Sequence, residues 1–421
     1  MKELYKNILD SVETDRETNI NRHKNSRVLI IDGLNTFIRC WSSIPTMNDD
    51  GDHVGGATGV LKSIGYAIRQ TQPTRVVVVF DGKGGSTQRK KKFSGYKAQR
   101  DSNKLRVNRA YKGMMNDEDE RESMKRQFVW LNEMLDGLPL TTMIYDGVEA
   151  DDIMAYISTK ILKEDEQAVV MSTDKDFLQL IDDTTIVWSP TKKKMYNTKM
   201  VKEEYGIESK NLLLYRVLDG DKSDNIPGVY GCGIKTVVKR FPEITEDKKL
   251  SVDDLLELAE KKSEETKGKI KIYNDILKSK RQILLNEDLM QLHDVDISGT
   301  IKMKTLDRFN EPITPLNKMD FMKILLKYKV IGNFGDINDW LNILNIYLED
   351  LRVGTYPKSI FPNSTEKIVQ GRTINMNRRD IKETDSNVRI GKTMCLAHAD
   401  LYDTNGKLVA VSQVNYIRLQ S

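Results

Sequence analysis

Val28-Leu29-Ile30-Ile31-Asp32, an unbroken apolar, largely β-branched run ending on a carboxylate, fits a buried parallel strand. Val76-Val77-Val78-Val79-Phe80 repeats the design and ends on Asp81. Ala168-Val169-Val170-Met171 repeats it again and runs into Ser172-Thr173-Asp174-Lys175-Asp176. Helical patterns separate the runs. Met124, Phe128, Leu131 and Leu135 step by four, three and four, and Gly137 with Pro139 stops the pattern. Strands alternating with helices predict an α/β domain with a mostly parallel central sheet flanked by helices.

Between Lys83 and Lys112 the texture changes, with eleven basic residues against one acid, Asp101, and almost no apolar periodicity. Leu212 to Phe241 holds a Gly-rich turn between helical stretches, and a charged, helix-compatible segment follows from Leu250 to about Leu292. Phe321-Met322-Lys323-Ile324-Leu325-Leu326 resumes apolar patterning, and Trp340 to Leu348 reads as a last amphipathic helix. After Leu351, Tyr356-Pro357 and Phe361-Pro362-Asn363 read as a linker. Thr393, Cys395, Ala397, Ala399 and Leu401 then alternate towards an Asn405-Gly406 turn, with Leu408, Ala410 and Ser412 alternating after it, which predicts a hairpin in a small β-rich appendage.

The chain has 421 residues, 39% of them hydrophobic, enough for a sizeable core, and excludes a wholly disordered protein. A net charge of +4 says little about partners, so local clustering must carry any nucleic-acid signal. Cys40, Cys232 and Cys395 lie far apart without a CxxC pattern, which leaves neither a disulfide framework nor a Cys-type zinc site and favours a reducing cytoplasm. His23, His53, His293 and His398 are equally scattered, and carboxylates remain as the chemical groups. The polar first 25 residues and the lack of an apolar run of 18 predict a soluble protein without a membrane partner.

In an open parallel sheet, ligands collect at the carboxyl ends of the strands, so Asp32, Asp81, Asp174 and Asp176 should converge on one edge. Gly147-Val148-Glu149-Ala150-Asp151-Asp152 adds three carboxylates at the start of a helix with an apolar face of Ile153, Ile157 and Ile161, and Asp219 to Asn225 supplies more. Each close pair repels by up to ~4 kcal/mol at about 4 Å in an effective dielectric near 20, so the group needs cations. Oxygen-only ligation selects Mg²⁺ first, with Mn²⁺ as a substitute. Turn and cap chemistry explains any one of these aspartates alone, and explains all of them together poorly.

Asp32, Asp81, the Glu149-Ala150-Asp151-Asp152 block, Ser172-Thr173-Asp174-Lys175-Asp176 and Gly220-Asp221-Lys222-Ser223-Asp224-Asn225-Ile226-Pro227-Gly228-Val229 stand in the order and spacing of the structure-specific 5′ nuclease (flap endonuclease) superfamily. The likeness is greatest to bacteriophage 5′→3′ exonucleases of the ribonuclease H type and covers about residues 27 to 350. It implies a PIN-like 5′ nuclease fold: an N-terminal extension over 1–26, an α/β nuclease domain over 27–210 with a basic helical arch at about 83–118, a helix-hairpin-helix and helical region over 211–350, and an accessory tail over 351–421.

The resemblance implies a two-metal phosphodiester hydrolase. By position, Asp32, Asp81, Glu149 and Asp151 look like the first metal cluster, Asp174 sits between the ions, and Asp176, Asp221 and Asp224 look like the second; Asp152 is placed behind the ligands or on a bridging water. Catalysis is expected to rest on Asp32 and Asp151 together with Lys97 and Arg100, which, three apart on an arch helix, would meet the scissile phosphate. Tyr96 would stack on an unpaired base, while Lys83, Arg89 and Lys90 gather the substrate. Ile226 to Thr236 resembles the family's helix-hairpin-helix, in which Gly228, Gly231, Gly233, Lys235 and Thr236 would meet duplex phosphates and hairpin carbonyls would hold a K⁺. Cys232 departs from the usual apolar residue there.

The function so implied is removal of 5′ single-stranded or RNA-containing segments beside duplex, as 5′→3′ exonuclease, flap endonuclease and ribonuclease H activity in phage replication within the host cytoplasm, with a polymerase, clamp or single-strand-binding protein as partner. A catalytically silent DNA-binding protein on the same scaffold and a PIN-like single-strand ribonuclease are the competing readings. The full acidic set argues against the first and the duplex-binding hairpin against the second.

Overall fold

A computed structural model describes residues 26–98 and 117–344, together with the backbone of the strands Cys395–Tyr402 and Leu408–Ile417. The expected N-terminal extension, Arg100 with the outer part of the basic stretch, and the linker lie outside the described residues. The chain divides into two compact units: Asn19–Phe361 holds the sheet and the helices, and the two C-terminal strands belong to the other.

The larger unit is built on a six-stranded sheet: β1 Arg27–Asp32, β2 Arg75–Asp81, β3 Thr141–Tyr145, β4 Gln167–Met171, β5 Thr185–Ser189 and β6 Lys194–Tyr196, in the order β3-β2-β1-β4-β5-β6. All pairings are parallel except β5 with β6, as the mostly parallel sheet expected from the sequence requires. The three runs legible in the sequence are the three inner strands β2, β1 and β4. Their side chains alternate between two cores: Leu29, Ile31, Val76, Val78, Val169 and Met171 face one layer, and Val28, Ile30, Val77, Val79, Ala168 and Val170 the other. Burial on both faces makes every residue apolar and removes the polar alternation that a half-wet strand shows.

On the first face, the helix Gly33–Ser43 packs against Gly55–Thr71 so closely that a Cβ on Gly59 would lie 2.8 Å from Cys40 Cβ. The helix Asp117–Asp136 adds Leu131, Met134 and Leu135 to this core and stops just before Gly137. Residues 337–344 are helical, and Trp340 is locked in place: its Nε1 donates to Leu61 O at 3.2 Å and its ring stacks on Phe321. On the second face, the helix Ala150–Tyr156 widens into a π-turn at Ile157–Ile161, burying Ile153 and Ile157.

The segment expected as a charged helical run from Leu250 is three helices, Val252–Glu265, Lys271–Lys278 and Lys280–Met290. The first break falls at Lys267 and Gly268, both at positive φ (51° and 68°). With Leu212–Asp219 and Ile234–Arg240 they enclose a separate core of Val217, Val237, Phe241, Leu255, Ile276 and Ile283. In the smaller unit, Cys395–Tyr402 (β7) pairs antiparallel with Leu408–Ile417 (β8), matching Ala399 to Ser412 and Leu401 to Ala410, the hairpin the alternation predicts. No helix among the described residues is long and apolar enough to cross a membrane.

A chain truncated after Phe361 is expected to keep a single cooperative thermal transition and the circular dichroism of the larger unit, because that unit closes its cores without the hairpin. Loss of the transition would place the tail inside the core.

Candidate active site

Because β1, β2 and β4 run parallel, their carboxyl ends share one edge of the sheet. Asp32 ends β1 at 6% exposure; its Oδ1 caps the next helix by accepting the Asn35 N–H (3.0 Å), and its Oδ2 accepts the Ser172 hydroxyl (3.0 Å). Asp81 ends β2 and accepts the Ala150 N–H at 2.8 Å, which ties that strand to the helix carrying Asp151 and Asp152. Beyond β4, Ser172 Oγ also accepts the Asp174 N–H (3.1 Å), and Asp174 Oδ1 accepts the Asp176 N–H (2.8 Å). The loop after β4 is thus folded back on the end of β1.

This edge is electrostatically unbalanced. Burial, reinforced by the charges of Asp81 and Asp174, pushes the Asp32 carboxyl up to about 7. Burial and then the charges of Asp32 and Asp174 raise Asp151 well above the carboxylate range. Asp174 is raised by burial and by Asp224. Asp176 is pushed up to about 7 by burial and Asp174, against the pull of Arg216. No group of three acidic, histidine or cysteine side chains among the described residues closes into a metal cage. In donor type and in uncompensated negative charge the edge nonetheless fits a hard divalent cation, since every candidate ligand is a carboxylate.

The outer carboxylates carry protein counter-charges. Glu149, 3% exposed, accepts from Lys97 Nζ (2.5 Å), Arg89 Nη1 (2.5 Å) and the Tyr96 hydroxyl (3.1 Å). Burial would raise it, but Lys97 and Arg89 hold it below the ordinary glutamate value. Arg89 also forks onto Asp152, Nη2 to Oδ1 at 2.7 Å and Nη1 to Oδ2 at 2.9 Å, while its Nε donates to Leu289 O (2.9 Å). Arg216 bridges Asp176 (Nε, 2.8 Å) and Asp221 (Nη2, 2.6 Å). Asp221 also accepts the Ser223 N–H and hydroxyl (2.7 and 2.6 Å), and these bonds with Arg216 outweigh its burial and lower it.

These contacts bear on the expectations for the basic stretch. Arg89 is ion-paired with Glu149 and Asp152, as Lys97 is with Glu149. Tyr96 is 3% exposed and packed with Ile226, Leu289 and Met290, so its ring presents no face to a base. Lys97 lies in a turn at φ 56°, not on a helix, so the three-residue helical spacing to Arg100 does not apply at its end. Lys83 and Lys90 are exposed, as a role in gathering substrate requires.

In the hairpin, a Cβ on Gly228 would come within 2.1 Å of Asp219 O, whereas Gly231 (φ 84°) and Gly233 face open space beside exposed Lys235 and half-exposed Thr236. Cys232 is buried in the neighbouring apolar core, which accounts for a thiol at an apolar position. Tyr230, 92% exposed, stands at the turn and was not singled out by the sequence. Arg216 was also missed; its signal is a lone charge inside Leu212-Leu213-Leu214-Tyr215-Arg216-Val217-Leu218.

Residues 27–206 match the family described as 5′-3′ exonuclease, N-terminal resolvase-like domain, and over this stretch the chain resembles the 5′ nuclease superfamily. A 5′-3′ exonuclease of Aquifex aeolicus is 28% identical over 302 residues, covering 71% of this chain and 93% of that protein. DNA polymerase I of Bacillus caldotenax is 27% identical across 68% of this chain, which spans 31% of the polymerase. The flap endonuclease of bacteriophage T5, solved with DNA and metal ions, shares the fold at a TM-score of 0.50 and 21% identity, covering 76% of this chain and 99% of that one.

The raised carboxyls predict a sign. In the folded metal-free protein Asp32 and Asp176 hold protons to about pH 7, whereas the unfolded chain releases them near 4. In chelator, stability should therefore fall as pH rises from about 4 to 7, by up to about 1.4 kcal/mol per pH unit for each titrating group. Asp32→Asn should flatten that slope in denaturant titrations; an unchanged slope would remove Asp32 from the balance.

Proposed function

We propose that the chain is a divalent-metal-dependent 5′ nuclease that hydrolyses phosphodiesters near single-strand/duplex junctions, trimming flaps and RNA-primed ends during DNA replication. The observation that carries this reading is the set of mutually repelling aspartates on one sheet edge, buried Asp32 with half-buried Asp151, Asp174 and Asp176. Asp32, Asp81, Glu149 and Asp151 would hold one ion and Asp176, Asp221 and Asp224 a second, with Asp174 between; Mg²⁺ is the first choice and Mn²⁺ a substitute. Bound there, the ions would supply a nucleophilic water and neutralise charge developing on the phosphate.

The chain's own residues surround that chemistry with cations. Lys97 reaches the edge from the base of the basic stretch, where its ammonium lies 2.5 Å from Glu149 and 4.0 Å from Asp224. It is the group that would meet the scissile phosphate, with Arg100 as its expected companion. Exposed Lys83 and Lys90 attract the strand from solvent. Gly231, Gly233, Lys235 and Thr236 offer backbone and side-chain donors to duplex phosphates, and hairpin carbonyls a place for K⁺. A replication polymerase is the partner class suggested by the match to DNA polymerase I.

Labelled flap, nicked, blunt and RNA-primed substrates, each with Mg²⁺ or EDTA, test the reading. Asp32→Ala and Asp151→Ala should lose at least about 100-fold in rate while still binding DNA, since each removes a carboxylate that would hold the first ion. Metal-independent cleavage, or none by the unaltered chain on any substrate, would refute it, the latter in favour of a silent binding protein. Cleavage confined to single-stranded RNA would favour a PIN-like ribonuclease. Lys97→Ala should lower the single-turnover rate more than the affinity, and Lys90→Ala the reverse.

A further inference from the structure

The base of the basic stretch and the loop entering the hairpin lie 130 residues apart and are stitched together: Asn225 Nδ2 donates to Gly95 O at 2.8 Å, and the Lys97 N–H donates to Asp224 O at 2.9 Å. Tyr96, between the two bonded residues, is buried against Ile226 from the same loop. Both sides are in left-handed backbone, Asn225 at φ 59° and Lys97 at φ 56°. Asparagine adopts that region readily. A lysine does so at a cost of order 1 kcal/mol and keeps it where neighbouring bonds over-determine the turn.

We propose that Asn225 is a positioning residue: its amide grips the Gly95 carbonyl, fixes the turn that carries Lys97, and so holds the Lys97 ammonium at the carboxylate edge. This rests on the reading of Lys97 as the group that meets the scissile phosphate. The same loop leads directly into the hairpin through Ile226, which receives the Asp221–Ile226 backbone bridge. Seating of duplex on the hairpin would therefore be felt at Lys97 through Asn225.

Asn225→Gly preserves access to positive φ and deletes the amide; Asn225→Asp keeps the shape and cannot donate when ionised. Both are compared with Lys97→Ala and with the double variant Asn225→Gly/Lys97→Ala, in the full chain, by single-turnover cleavage and equilibrium binding of one flap substrate. Each Asn225 variant should cleave about tenfold more slowly with a smaller loss of affinity, and the double variant should be no slower than Lys97→Ala. The Asn225 variants should stay folded, with thermal midpoints lowered by no more than several degrees. An unchanged rate in both Asn225 variants, equal losses in rate and affinity, or multiplied losses in the double variant would overturn the proposal. Failure of the underlying reading is visible separately, as a Lys97→Ala rate equal to that of the unaltered chain, and it takes the proposal with it.

Discussion

Several aspartates withdrawn from water on one sheet edge cannot all ionise without a counter-charge, and the architecture around them follows from that constraint. At about 4 Å and an effective dielectric near 20, each ionised pair costs about 4 kcal/mol. The fold meets part of this with neutral donors: Asn35 N–H and Ser172 hydroxyl on Asp32, and Ala150 N–H on Asp81. It meets another part with Arg89, Lys97 and Arg216 on the outer carboxylates. The inner set, above all Asp32 and Asp151, is left with excess negative charge, the condition for capturing a divalent ion.

The protein cations also join regions that a parallel sheet alone would leave apart. Arg89 connects the basic stretch to Glu149, Asp152 and the Leu289 carbonyl, and Arg216 connects the loop after β4 to the entrance of the hairpin. The hairpin and the carboxylate edge are therefore one mechanical unit, in which a shift of either arginine would disturb carboxylates on both sides. Replacing a guanidinium by a lysine would lose the fork, since an ammonium cannot bridge two carboxylates in a fixed plane.

The sequence made the inner sheet legible because double-sided burial leaves uninterrupted apolar runs in β1, β2 and β4. It hid β3, β5 and β6, in which Thr141, Thr142, Thr185 and Lys194 interrupt the apolar signal. The acidic residues could be named because strand ends and helix starts fix where carboxylates go. Which basic residues answer them could not, because pairings such as Arg89 with Glu149 and Asp152 join segments sixty residues apart and leave no local spacing. Tyr96 shows the same limit: an aromatic in a lysine-rich stretch reads as a stacking platform, yet the fold buries it under Ile226 and Met290.

On the reading proposed above, the carboxylate edge exchanges protons for a divalent ion. Calorimetric titration of the full chain with Mg²⁺ at about pH 6, in two buffers of different ionisation enthalpy, measures that exchange directly. Binding should release protons, seen as a buffer-dependent heat, and Asp32→Asn should reduce the number released. A heat that is the same in both buffers, or Mg²⁺ binding undiminished in Asp32→Asn and Asp151→Asn alike, would rule out proton-for-metal exchange at this edge.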